Sequence, residues 1–143
     1  MINHRNQPGK DFAMAFKSLN PDGIAAPVRQ YIHSIDVPPN CRTLYVSGQI
    51  GRKSDGTVPE GAAAQTEACW DNVVAVLRAN DMDVPDIVKV VQYLTRVEDR
   101  DAHFEVRNRF LGAHKPTSTL LFIAALAEPE YVVEVEVVAA KPA

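Results

Sequence analysis

The sequence has little cysteine, no long apolar run and no concentration of positive charge. Its two cysteines, Cys41 and Cys69, belong to no CxxC pair and to no Cys/His cluster. They read as two reduced thiols of an intracellular protein rather than a disulfide framework or a zinc site. His103 and His114 lie eleven apart without carboxylates at ligand spacing, so no metal site is expected. No apolar stretch approaches the length of a membrane span, and the charged N-terminus has no signal-like apolar segment. A cytoplasmic location is the expectation. The net charge is −3, with Lys and Arg scattered, so a basic face for nucleic acid is not expected.

What remains is an ordinary globular composition, 46% apolar and 23% charged over 143 residues. This suits one domain over residues 1–143 that buries roughly two-thirds of its unfolded surface. Residues 1–10 are polar and expected to be loosely held. Weak alternation over 12–16 suggests a short strand, and Pro21-Asp22-Gly23 a turn. Strands are expected over 30–37 and 43–50, then a loop around Asp55-Gly56. Helical spacing of Ala68, Val73, Val76 and Leu77 predicts a helix over 61–80. A Val/Ile-rich strand over 87–97 follows. The spacing of Phe104, Arg107, Phe110 and Leu111 predicts a second helix over 99–114. Strands over 118–127 and 131–139 flank the turn Glu128-Pro129-Glu130. Two helices that each bury one stripe beside a mixed sheet imply a two-layer α+β sandwich, with Trp70 in its core. The sheet face without helices is expected to meet other subunits.

Several residues invite chemistry. Glu134 and Glu136 alternate with valines and fall on one face of a strand, about 7 Å apart. They read either as an acid–base pair or as a solvated outer face. Ser47-Gly48-Gln49 ends a strand where Gly48 permits close backbone approach and the following amides suit an anion. Tyr31 reads as an amphipathic strand residue with a wet hydroxyl, and His33 as structural. Gln65 and Asn72 share a helix face and are expected to hydrogen-bond between elements. Ser118 lies in no nucleophile motif.

Five short patterns together resemble one family. Tyr31-Ile32-His33-Ser34-Ile35 resembles its Tyr-Ser-His-Ala-Val strand, and Val46-Ser47-Gly48-Gln49-Ile50 its Val-Ser-Gly-Gln-Ile strand end. Gln65-Thr66 with Asn72 and Val76-Leu77 resembles its first helix. Asp86-Ile87-Val88-Lys89 resembles its entry to the middle strand, and Val133-Glu134-Val135-Glu136 its closing strand. In order and in register over residues 21–140, they are similar to the RidA/YjgF family of reactive enamine/imine deaminases.

That resemblance implies a chorismate-mutase-like sandwich, a mixed sheet with two helices on one face. It also implies a homotrimer with small-molecule clefts between subunits and no metal or organic cofactor. Members of this kind hydrolyse 2-iminobutanoate- and 2-iminopropanoate-type compounds to 2-keto acids and ammonia. Glu134 takes the place of the glutamate that orients or activates water, and Tyr31 that of a tyrosine at the cleft mouth. The arginine that clamps a substrate carboxylate bidentately would lie where Pro116-Thr117-Ser118-Thr119 places Ser118. Phe104 falls at a helix-two asparagine. Neither Thr117 nor Thr119 is basic, and Lys115 lies across a proline. The expectation is a less anionic, larger or more apolar ligand, bound by Tyr31, Ser118, Gly48, Gln49 and Phe104, with Glu134 catalytic.

Three functions follow. The first is a hydrolytic deaminase of a small enamine, imine or related C–N compound with non-standard substrate choice. The alternative is a trimeric small-molecule binder or regulator that has lost the chemistry. The third, ribonuclease activity, has little support from an acidic chain without a basic groove.

Overall fold

A computed structural model describes residues 16–143. The expected strand over 12–16 and the N-terminal segment over 1–10 fall almost wholly outside the described residues. The sheet expected from two-residue alternation is present, in two parts. β1 (Lys17–Leu19) and β2 (Ser34–Asp36) form a small antiparallel pair. β3 (Cys41–Ile50), β4 (Ile87–Leu94), β5 (Thr117–Phe122) and β6 (Val133–Pro142) form a four-stranded sheet in the order β3-β6-β4-β5. β6 is antiparallel to both neighbours, whereas β5 runs parallel to β4 because a helix crosses between them.

That crossover helix is α2 (Arg100–Leu111), and the longer α1 (Ala62–Ala79) precedes β4. The buried positions of α1, among them Gln65, Thr66, Cys69, Trp70, Val73 and Leu77, recur every three or four residues. This is the stripe a helix needs to pack on a sheet. α1 ends where Asp81 adopts φ 57, with Asp81 N–H donating to Arg78 O at 3.1 Å and Met82 N–H to Leu77 O at 2.9 Å. These two bonds satisfy otherwise orphaned carbonyls. Gly112, at φ 58, ends α2. The Trp70 ring stacks on Phe110 at 5.9 Å between centroids, joining the two helices inside the core.

β6 fixes the two faces of the sheet. Val133, Val135, Val137 and Ala139 are buried beneath the helices, whereas Glu134, Glu136 and Val138 alternate with them on the face without helices. The observed α+β sandwich, two helices on one side of a mixed sheet, is the expected one.

Some boundaries differ for physical reasons. The strand expected over 30–37 shrinks to Ser34–Asp36, because residues 30–32 instead bond to the end of α2 and the start of β5. Gln30 Nε2 donates to His114 O at 3.0 Å, and Ile32 N–H to Pro116 O at 3.1 Å. The strand expected over 87–97 stops at Leu94, and a short 3-10 turn over Val97–Asp99 leads into α2. The strand expected over 118–127 stops at Phe122, so the connection to β6 is longer than the turn at 128–130. No helix among the described residues is long and apolar enough to cross a membrane.

Candidate functional site

Of the six candidate residues, four fall into two groups, and Gln49 and Tyr31 are placed by other contacts. Gly48 and Glu134 form one group at an irregularity of the β3–β6 ladder. Pairing runs from Val46↔Val137 to Gln49↔Val135, so Ser47 and Gly48 have no partner in register. A bulge of this kind re-aims the chain and frees its amides. A Cβ added at Gly48 would overlap the Glu134 carboxylate, with Glu134 Cδ only 2.8 Å away. Gly48 therefore leaves the space that this placement of the Glu134 carboxylate occupies. Gln49 follows in sequence but lies beside Asn72 and Arg52, and its amide donates to Ser47 O at 3.1 Å.

Glu134 and Glu136 share the face without helices, as their alternation requires. Across the ladder they oppose Tyr93 and Val91, and Tyr93 Oη donates to Glu136 Oε1 at 2.5 Å. That bond, burial and the two carboxylate charges hold the Tyr93 hydroxyl above its usual range. A shallow hollow beside them is lined by Tyr45, Ser47, Lys89, Val91, Glu136 and Val138. On the opposite face Cys69 is buried, and burial, with Glu134 second, pushes its thiol up to about 12. It is therefore a packing residue rather than a nucleophile.

Ser118 and Phe104 make the second group, and the residue that joins them is Arg107. Its guanidinium enters from α2, with the residue 1% exposed. Nη2 donates to Ser118 Oγ and to Gln30 O, each at 3.1 Å, and Nη1 to Asn108 Oδ1 at 3.1 Å. Its Cζ lies 5.6 Å from the Phe104 ring centroid, while Arg29 approaches the same ring at 4.4 Å. Burial first, then the Arg29 charge, pulls the Arg107 guanidinium down to about 10, still protonated at neutral pH. Tyr31 follows Gln30 and lies edge-on to His33 at 5.6 Å. His33 has a structural bond, 2.9 Å from Nε2 to Ala25 O.

Ser118 is held from a second direction. Gln92 Nε2 donates to Ser118 Oγ at 2.9 Å and to Thr119 O at 3.1 Å. The Thr119 carbonyl fixes the amide orientation, so Gln92 Oε1 faces His103 Nε2 at 2.9 Å and accepts its proton. His103 Nδ1 then lies 3.2 Å from the Thr66 hydroxyl, which is 2.7 Å from Ala62 O. Desolvation first, then Arg107, lowers His103 to about 4, so the ring is neutral. The result is a buried polar chain, Thr66–His103–Gln92–Ser118–Arg107.

Sequence reasoning missed Arg107, Gln92 and His103 as parts of this site. The available signal was a charged residue within the stripe Phe104–Arg107–Phe110–Leu111, where burial demands a partner. Position 118 carries only a hydroxyl, and the Arg107 guanidinium lies against it. Gln65 and Asn72 behave as expected, bonding Glu130 O at 2.7 Å and Arg52 O at 2.9 Å.

The two groups do not meet within one chain. Ser118 pairs with Val90 and faces the helices, whereas Glu134 pairs with Tyr93 and faces away. Three residues along the sheet and two strand spacings across put their Cα atoms roughly 14 Å apart.

The comparisons with known proteins agree on the family. A family model described as Endoribonuclease L-PSP matches residues 23–141. The RutC family protein UK114 of Drosophila melanogaster is 30% identical over 125 residues, covering 86% of this chain and 88% of that protein. The 2-iminobutanoate/2-iminopropanoate deaminase of Rattus norvegicus is 30% identical over 100 residues, 68% of this chain and 72% of that one. Among solved structures, RidA from the Antarctic bacterium Psychrobacter sp. PAMC 21119 aligns with TM-score 0.65 at 30% identity, covering 86% and 98% of the two chains. The Rid-family protein YyfB from Yersinia pestis shares the fold with TM-score 0.77 at 24% identity, covering 88% and 98%. With a family model spanning most of its length and relatives aligned across the same sandwich, the chain belongs to the RidA/YjgF (endoribonuclease L-PSP) family.

Proposed function

We propose that the chain is a hydrolytic deaminase of small enamine, imine or related C–N compounds, with a substrate choice of its own because Ser118 stands in the arginine's place. The observation that carries this reading is the Glu134 carboxylate, seated on the helix-free face in the space left by Gly48, where a Cβ would displace it. Relatives named 2-iminobutanoate/2-iminopropanoate deaminase at about 30% identity support it.

The chemistry needs a carboxylate, a water and dipoles for developing charge. An enamine first tautomerises to its imine. Water then adds to the imine carbon, with Glu134 accepting a proton from it and delivering one to nitrogen. The carbon–nitrogen bond breaks, ammonia leaves and a carbonyl remains. Backbone amides of the Ser47-Gly48 bulge, without ladder partners in register, are the groups this reading assigns to developing negative charge.

Glu134 and Ser118 lie on opposite faces, so a cleft using both draws them from two copies of the chain. A ring of three does this, because head-to-tail packing sets one face against a different one. The test is ammonia release from 2-iminobutanoate, 2-iminopropanoate and uncharged imines generated in situ, by the wild type and Glu134→Gln. Turnover lost in the variant is expected. No turnover above buffer with any substrate, alongside ligand-induced thermal stabilisation, favours the non-catalytic binder instead.

A further inference from the structure

The polar cluster between β5 and α2 has three properties that point the same way. First, Ser118 Oγ accepts two hydrogen bonds, from Gln92 and from Arg107. A hydroxyl has two acceptor lone pairs and one proton. Both lone pairs are occupied, and no acceptor among the described residues takes the proton. The half-buried Ser118 can therefore act toward a ligand only as a donor.

Second, the charge here is unbalanced. None of the three ion pairs among the described residues includes Arg29 or Arg107. Both guanidinium groups approach the Phe104 ring, and the Arg29 charge repels that of Arg107. Third, Arg107 is almost fully buried, yet its Nε has no hydrogen-bond partner among the described residues. Burying a cation without a counter-charge is costly, and an anion at Ser118 offsets that cost.

We propose that Arg29, Ser118 and Arg107 form a carboxylate-binding subsite in which the Ser118 hydroxyl donates to the ligand, Arg29 supplies the reachable charge, and Arg107, a positioning residue, aims the hydroxyl and holds the local potential positive. The guanidinium that position 118 lacks is thus delivered from α2, and Phe104 is the platform on which both arginines rest. Such a subsite favours an anionic ligand, where the hydroxyl at position 118 alone suggested a less anionic one. It deepens the deaminase reading and rests on it only in identifying the anion with the acidic group of that substrate.

The test reads binding without turnover. Affinity of the full chain for 2-oxobutanoate and for its uncharged amide is measured by calorimetry at low salt, with thermal melts confirming each variant. Wild type is expected to prefer the carboxylate by tenfold or more. Arg29→Ala, at an exposed position, should weaken carboxylate binding about tenfold and cut the preference over the amide, whereas Ser118→Ala, which removes a donor open to either ligand, should weaken both. Arg107→Met should abolish the preference and Arg107→Lys restore part of it, a rescue that a merely structural role does not give.

Equal affinity of the wild type for carboxylate and amide overturns the subsite, as does failure to bind either. So does an Arg29→Ala protein that keeps the full preference. A charge preference retained without ammonia release from any imine overturns the deaminase reading alone. Turnover with no charge preference overturns the subsite alone.

Discussion

Arg107 on α2 places its Nη2 3.1 Å from Ser118 Oγ on β5, so two residues eleven apart in sequence meet where the crossover helix returns to the sheet. A helix residue thereby brings charge to a strand position that carries only a hydroxyl.

Adding an arginine at position 118 while Arg107 remains should be harmful. Ser118→Arg forces a second guanidinium into a part-buried space already holding one, and we expect a loss of about 2 kcal/mol or more. Ser118→Arg combined with Arg107→Leu should recover at least half of it, since one charge then occupies the space. Urea denaturation of the single and double variants measures the coupling; simple additivity contradicts the shared-space account.

A side chain at Gly48 should act mainly by moving the Glu134 carboxylate. A Cβ there overlaps the Glu134 carboxylate, so Gly48→Ala must displace it. The stability cost should be modest, about 1–3 kcal/mol, but a displaced catalytic group costs on the order of 100-fold in rate. Steady-state ammonia release alongside a melt separates the two. A Gly48→Ala protein with wild-type kcat removes Glu134 from the mechanism.

Acid should weaken the fold through His103. Its folded value of about 4 lies below the ordinary 6.5, because the ring is buried beside Arg107. A base with a depressed folded value contributes no penalty above the unfolded value. As pH falls below about 6.5, the unfolded chain takes up a proton that the folded chain refuses, and stability declines until about pH 4. The decline should be on the order of 3 kcal/mol. Urea midpoints from pH 7.5 to 4 should show this slope, and it should flatten in His103→Gln.

The sequence made the layers legible because they rest on periodicity. The α1 stripe from Gln65 through Leu77 and the β6 alternation from Val133 through Ala139 each state which side is buried. The ends were less legible where irregular segments take over backbone bonding, as Gln30 does with Gly112 O and His114 O. The site was only half legible. Glu134 and Gly48 lie in local patterns, and their contact follows from the β3–β6 register. The role of Arg107 needs the α2 crossover and the β4–β5 pairing, neither of which a linear motif encodes. That Ser118 and Glu134 face opposite ways likewise depends on which strand each one pairs with.

This last relationship gives the central claim its most direct test. Glu134→Gln removes the proposed acid–base group. Ser118→Asp sets a carboxylate against Arg107 and should fold while repelling an anionic substrate. Each variant alone should be inactive toward 2-iminobutanoate. Co-assembled in equal amounts, they should regain roughly a quarter of wild-type ammonia release, because random mixing leaves that share of interfaces with both groups intact. Recovery near that level confirms that the two residues work together from different copies. Mixed assemblies as inactive as the separate variants would contradict the claim.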